Sequence, residues 1–250
     1  SFPRALPRFL AALVETGGGG GPPPVLAPRL WAGCQAECWA ALWGRAFWEK
    51  DMKIYTVPAG ILRANCYLVT EDGKTAVLID CGGAEPLAFA ARQGLENRFV
   101  LLTHGHFDHI GGCAARARAG AKIGCLKEET SLIRSADNLA EEVGVSVLPF
   151  EIGFTFSDGE KLSLCGMEIE VIATPGHTPG GACFKIGNAL FTGDTLFCES
   201  VGRTDFPGGN AVKLRESVRR LLSLDGDCDV YPGHDEQTSL DHERKYNPYR

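Results

Sequence analysis

No stretch of the sequence approaches the run of about twenty apolar side chains that a membrane-spanning helix requires, so an integral membrane protein is not expected. Basic charge is also scarce. Lys and Arg number 25 against 31 Asp and Glu, a net charge of −6, and this leaves no basic stripe to displace counterions from a phosphate backbone. Nucleic acid is therefore an unexpected partner, and small or neutral molecules fit better. Cys-x-x-Cys pairs are absent although the chain holds 10 cysteines. Cys66, Cys165 and Cys183 stand inside apolar, strand-like runs, where cysteine acts as a small hydrophobe, so buried thiols in a reducing cytoplasm are expected rather than a disulfide framework. The apolar share of 44% with 22% charged residues is that of an ordinary globular chain, and 250 residues suffice for one main domain with a substantial core.

Methionine is scarcer still, with only 2, and Met52 stands immediately before the first convincing strand pattern. Upstream of it lie all four tryptophans (Trp31, Trp39, Trp43, Trp48), the run Gly17 to Gly21 and Pro22-Pro23-Pro24. Gly and Pro runs favour a linker over a packed core, so residues 1–51 are expected to be a poorly ordered, non-native or appended extension and 52–250 the functional domain.

From Met52 onward, short β-branched or apolar runs predict strands at Ile54–Val57, Asn65–Thr70 and Ala76–Ile79, forming an antiparallel meander. A helix over Glu85–Gln93 should stop at Gly94, followed by a strand over Phe99–Leu102. Helices are also predicted over Ile110–Ala119, near Glu128–Glu142 and over Ala211–Leu222. Further strands are predicted at Val145–Leu148, Lys161–Leu164, Glu168–Ile172, Ala182–Ile186 and Ala189–Phe191. The result is an α/β chain with two β-layers flanked by helices.

The Phe99–Leu102 strand delivers the chain into Thr103-His104-Gly105-His106-Phe107-Asp108-His109. Neutral imidazole nitrogen and carboxylate oxygen are the donors that borderline divalent ions such as zinc prefer, and a solvated polar loop does not explain their crowding. His104 and His106 are two apart, which no helix face accommodates, so their rings can converge only from an extended or turning backbone. Three later segments share that context, each an apolar strand ending in a Gly-bearing turn with one candidate donor: Thr174-Pro175-Gly176-His177, Thr192-Gly193-Asp194 and Tyr231-Pro232-Gly233-His234. Cys81 and Cys113 lie near these loops and read as packing residues rather than soft ligands. Asp80, read alone, is also an Asp capping a turn before Gly82-Gly83. Arg203 could dock a substrate carboxylate in bidentate fashion or form an ion pair with Asp205.

Taken together, these segments resemble the metallo-β-lactamase superfamily, and in particular its small glyoxalase II-like branch of hydroxyacylglutathione hydrolase relatives. The resemblance runs from Met52 to the C-terminus. It includes Asn65-Cys66-Tyr67-Leu68-Val69, Leu78-Ile79-Asp80-Cys81-Gly82-Gly83, the four donor segments, Gly202-Arg203-Thr204-Asp205-Phe206-Pro207-Gly208-Gly209 and Asn247-Pro248-Tyr249. It implies a four-layer αββα sandwich holding two zinc ions per chain, with iron or manganese as alternatives. One ion would sit on His104, His106 and His177, the other on Asp108, His109 and His234, with Asp194 bridging. Asp108 and Asp80 would be the catalytic carboxylates, Asp80 by orienting the ligand loop, and Arg203 a substrate contact.

Two such cations lower the pKa of a shared water, hold it as hydroxide and polarise a carbonyl, so a thioester or related ester is the expected small-molecule substrate. Full-length glyoxalase II enzymes carry a C-terminal helical region that helps bind glutathione, and only a short segment follows His234, so another thiol carrier or ester is left open. The main alternative on the same fold is a persulfide dioxygenase using a single iron, which has a similar Gly-Arg-Thr-Asp-Phe segment; Pro207-Gly208-Gly209 resembles the hydrolase branch more. A di-iron oxygen or nitric oxide reductase would carry Glu at the place of His106, and RNA-processing relatives need a basic surface. Lactam or lactone hydrolysis stays open, and a non-catalytic relative would be expected to lack one of these donors.

Overall fold

The computed structural model describes residues 52–250, so the expectation for residues 1–51 falls outside the described residues. In chain order the strands are β1 (Lys53–Ala59), β2 (Ala64–Thr70), β3 (Thr75–Ile79), β4 (Glu96–Leu101), β5 (Lys122–Leu126), β6 (Phe154–Phe156), β7 (Lys161–Leu164), β8 (Met167–Ala173), β9 (Ala182–Ile186), β10 (Ala189–Gly193), β11 (Leu196–Phe197), β12 (Ser200–Val201), β13 (Asp229–Pro232) and β14 (Thr238–Ser239). The helices are α1 (Glu85–Gln93), α2 (Phe107–Ile110), α3 (Cys113–Arg118), α4 (Thr130–Ile133), α5 (Ala211–Leu222) and α6 (Leu240–Tyr246).

Strands β1 to β6 form one sheet in sequence order, and β14-β13-β10-β9-β8-β7 form a second. The central strands are apolar at nearly every position because both faces are buried. Alternate side chains then serve different layers. Tyr67, Val69, Val77 and Ile79 of the first sheet meet Val171, Phe184, Ile186 and Phe191 of the second in one core. Their neighbours Cys66, Leu68, Ala76 and Leu78 point the other way, toward Ala90 of α1, Ile110 of α2 and Cys113 of α3. On the far side, Ile172, Cys183, Leu190 and Val230 pack against Leu214, Val218 and Leu221 of α5 and Leu240 of α6. The four-layer αββα sandwich is thus present.

Strand directions place the site. In the second sheet β8 and β9 are antiparallel, β9 and β10 antiparallel, and β10 and β13 parallel, so β8, β10 and β13 all run the same way. Their C-terminal ends share one edge. The two sheets are laced together at that edge: the Ala182 N–H donates to the Thr103 carbonyl at 2.8 Å, and the Tyr67 hydroxyl donates to the Pro232 carbonyl at 2.5 Å.

Several expectations need correction. Val145–Leu148 is not a strand; Val145 and Val147 pack apolar side chains without joining a ladder, so burial mimicked the strand pattern. The expected helix near Glu128–Glu142 is α4 flanked by short 3-10 turns, with Leu139 in the left-handed region at φ 67°. The expected helix over Ile110–Ala119 is broken into α2 and α3 at Gly111-Gly112. There the backbone runs so close to the 81–83 turn that a Cβ on Gly112 would lie 2.0 Å from the Gly83 carbonyl oxygen. Strands β5, β6, β11, β12 and β14 and helix α6 were not foreseen. β5 carries a central glycine, and β6 and β14 have three and two residues, too short for a periodic signal.

Phe184, fully buried between the sheets, sets a test of this layering. Phe184→Ala should lower unfolding free energy by about 3–5 kcal/mol in urea titrations. A change below about 1 kcal/mol would contradict a packed interlayer core.

Candidate metal centre

Every candidate donor leaves the end of a strand. The first cluster follows β4, and His106 is the extended residue (φ −68°, ψ 149°) that starts α2, whose first turn carries Asp108 and His109. His177 follows β8, Asp194 follows β10 and His234 follows β13. The four segments converge. Donor atoms of His104, His106 and His177 lie within 4.8 Å of one another, as do those of His104, His109 and Asp194, and those of Asp108, His109 and His234. His109 Nε2 stands 3.4 Å from Asp194 Oδ1, His177 Nε2 3.5 Å from Asp194 Oδ2, and His234 Nε2 3.1 Å from Asp108 Oδ2. Asp194 is therefore between the two groups. Gly233 makes the approach possible, since a Cβ there would meet Asp194 Oδ1 at 2.3 Å and His109 Cε1 at 2.9 Å.

Hydrogen bonds at the rear of the rings fix which nitrogen faces inward. Asp80 Oδ2 accepts from His109 Nδ1 at 2.8 Å and from the Thr103 hydroxyl at 2.7 Å, while Asp80 Oδ1 accepts from the Thr103 N–H at 2.8 Å. That hydroxyl is then free to accept from His104 Nδ1, 3.1 Å away. The Arg203 carbonyl accepts from His177 Nδ1 at 2.7 Å. In a neutral ring this leaves Nε2 of His104, His109 and His177 as lone pairs directed into the cluster. Asp80 does so from a left-handed backbone (φ 57°), a conformation an aspartate holds at a cost of order 1 kcal/mol and which aims its carboxylate at both loops.

The cluster is short of positive charge. Among the described residues, His104 Nε2, His106 Nε2 and Asp194 Oδ1 are buried without any hydrogen-bond partner, each such orphan costing about 1–3 kcal/mol. His106 Nδ1 and His177 Nε2 are 2.9 Å apart. With the His177 proton committed to the Arg203 carbonyl, a proton or a cation must lie there. Burial, reinforced by neighbouring rings, pushes His104 well down and His106 down to about 3. At His109 burial acts in the same sense but is outweighed by Asp108, Asp194 and Asp80, which raise it to about 10. Burial would raise the Asp108 carboxyl, yet His109 and His234 hold it well below the usual carboxylate range. His234 is raised, its burial outweighed by the Asp108 hydrogen bond and Asp194. Neutral imidazoles beside carboxylates that hold an excess proton form a donor set that fits a divalent cation.

All of His104, His106, Asp108, His109, His177, Asp194 and His234 are brought together, with Asp80 directly behind them. Exposure is uneven: the His234 side chain is 24% accessible, against 7% for Asp108 and none for His109. Arg203 lines the same cavity, but its guanidinium donates to both Asp205 oxygens, at 2.6 and 2.5 Å, and lies over the Phe206 ring at 4.2 Å. Cys81 and Cys113 are buried and belong to none of the donor trios.

Sequence reasoning missed Glu129. Wholly buried, it accepts from the Gly105 N–H at 2.8 Å and the Gly180 N–H at 2.7 Å, so one carboxylate clamps the His104-Gly105-His106 loop to the His177 loop. Burial raises its pKa, and the two amides partly counter that. The only available signal was an acidic residue just after a strand, too common to notice.

Residues 59–234 match the family described as the metallo-beta-lactamase superfamily, and the chain belongs to it. Among curated relatives, hydroxyacylglutathione hydrolase GloC of Haemophilus influenzae is 36% identical over 207 residues, covering 79% of this chain and 98% of the relative. Among solved structures, the BLEG-1 B3 metallo-beta-lactamase superposes with a TM-score of 0.74 at 30% identity, covering 79% of this chain and 99% of that one. TTHA1623 in a di-iron-bound form superposes with a TM-score of 0.71 at 36% identity, covering 78% and 100%.

Two outcomes follow. Glu129→Ala should keep the fold but weaken binding at the three-histidine group by about 10–100-fold in chelator competition; unchanged affinity would contradict the clamp. Metal must displace the proton that His109 retains up to about pH 10, so zinc affinity at the Asp108–His109–His234 group should rise at least about tenfold per pH unit from pH 6 to 8, and more steeply where the raised His234 also gives up a proton. His106, neutral above about pH 3, contributes no such release. A pH-independent affinity in calorimetric titrations would contradict the assignment.

Proposed function

We propose that this chain is a binuclear, zinc-dependent hydrolase of thioesters. The observation that carries the reading is the pairing of two donor groups about one shared carboxylate: His104, His106 and His177 for one ion, Asp108, His109 and His234 for the other, and Asp194 for both. When bound, such ions supply an activated water and a Lewis acid for the substrate carbonyl, which removes the need for a protein nucleophile. The chain's own residues then have defined tasks. Asp80 holds the His109 tautomer and ties it to the Thr103 turn. The Arg203 carbonyl does the same for His177, and Glu129 keeps the two histidine loops in register. Asp108, kept anionic, is placed to take the hydrogen bond or proton of the attacking water. Phe206 sets its ring edge-on to His106, centroids 5.5 Å apart, and so covers part of that donor.

The similarity to a hydroxyacylglutathione hydrolase supports thioester rather than peptide chemistry. A mononuclear iron persulfide dioxygenase is the alternative. It would hold one ion on a few of these donors, and the pairing of two donor groups about Asp194 favours the binuclear reading over it. The di-iron-bound form of the similar TTHA1623 makes metal identity a matter for direct metal analysis.

Metal analysis of the purified chain should find two zinc ions per molecule with hydrolysis of simple thioesters. His106→Ala should lose one ion and reduce turnover by about 100-fold or more while its circular dichroism is retained. One iron per chain with persulfide oxidation would overturn the hydrolase reading.

A further inference from the structure

The donor cluster is the floor of a cavity of about 500 Å³, within the range that encloses a small organic ligand. Its walls are largely apolar. Phe107 and Leu139 pack with Phe206 on one side, and Phe197 and Val201 of the β11–β12 hairpin also line it. At the rim stand Leu62, in the turn between β1 and β2 and 52% exposed, and Val143, 48% exposed. Large aliphatic side chains this open to water incur a hydration cost that a ligand's apolar arm would relieve.

The charged lining is one-sided. Away from the floor it consists of Glu142, Asp235 and Arg203. Arg203 is matched by Asp205 through two hydrogen bonds and is held against Phe206, so it presents a neutral pair. Glu142 and Asp235 form no ion pair among the described residues, and no other Lys or Arg of those residues lines the cavity. A carboxylate brought to this rim would gain no unpaired donor and meet like charge. An uncharged chain would lose only unfavourable hydration.

We propose that the cavity selects thioesters whose arm beyond the reacting carbonyl is uncharged and apolar, and discriminates against anionic thiol carriers such as glutathione. The inference rests on the hydrolase reading for its chemistry but not for its recognition. The floor acts on the carbonyl common to all thioesters, whereas the rim contacts the part that differs between them. Specificity is therefore set by Leu62, Val143 and the acidic pair Glu142 and Asp235.

The test uses the zinc-loaded full chain with hexanoyl thioesters of two carriers, neutral N-acetylcysteamine and anionic glutathione. The neutral substrate should have a kcat/KM at least about tenfold higher. Leu62→Lys and Val143→Lys, both at exposed positions and compatible with the fold, should lower kcat/KM for the neutral substrate and raise it for the glutathione thioester. Equal or better hydrolysis of the glutathione thioester, or variants that move both substrates alike, would overturn the proposal. The non-hydrolysable thioethers S-hexyl-N-acetylcysteamine and S-hexylglutathione, titrated calorimetrically, separate recognition from chemistry. If no thioester is turned over, the hydrolase reading fails. Tighter binding of the neutral thioether then still supports the cavity's selectivity, and equal or weaker binding overturns it.

Discussion

Too many lone pairs in too little water is the condition around which this molecule is organised. Imidazole nitrogens and carboxylate oxygens are crowded within 4.8 Å at the seam between two sheets, and three of them have no hydrogen-bond partner. Left to itself such a cluster would spread apart or draw in water. It stays assembled because several donors and the loops that carry them are fixed from behind by something rigid. Asp80 grips Thr103 and His109, the Arg203 carbonyl grips His177, and Tyr67 pins the Pro232 carbonyl just before His234. These contacts are what turn scattered residues into a preorganised site.

The sandwich supplies that rigidity at low cost. β8, β10 and β13 point the same way, so three donors arrive at one edge of their sheet, and β4 brings the remaining cluster from the opposite sheet. The interlayer core of Tyr67, Phe184, Phe191 and their neighbours keeps the sheets from sliding, and sliding is the motion that would separate His109 from Asp194. Backbone bonds such as that from Ala182 to Thr103 complete the lacing. The fold thus serves the site through its edges more than through any single loop.

Much of this was legible in the sequence because it was carried by side-chain type. Imidazoles and carboxylates at strand ends, with glycines where backbones meet, announced the donor segments, and short β-branched or apolar runs announced most central strands. What escaped detection depended on backbone. Glu129 acts on the amides of Gly105 and Gly180, which carry no sequence label, and the α2–α3 break arises from a close approach to the 81–83 turn that only the tertiary structure creates. Val145–Leu148 deceived for the complementary reason: its valines are half-buried against the apolar wall near Phe107, not in a sheet. Arg203 was readable in two ways, and the short-range pairing with Asp205 is the one the geometry contains.

The unequal exposure of the rings gives the centre a front and a back. His104 and His109 are sealed in, while a quarter of the His234 side chain faces solvent. His109 and His234 share one donor group, so that group turns a closed ring inward and an open ring toward the cavity, and whatever reaches it from outside meets His234 first.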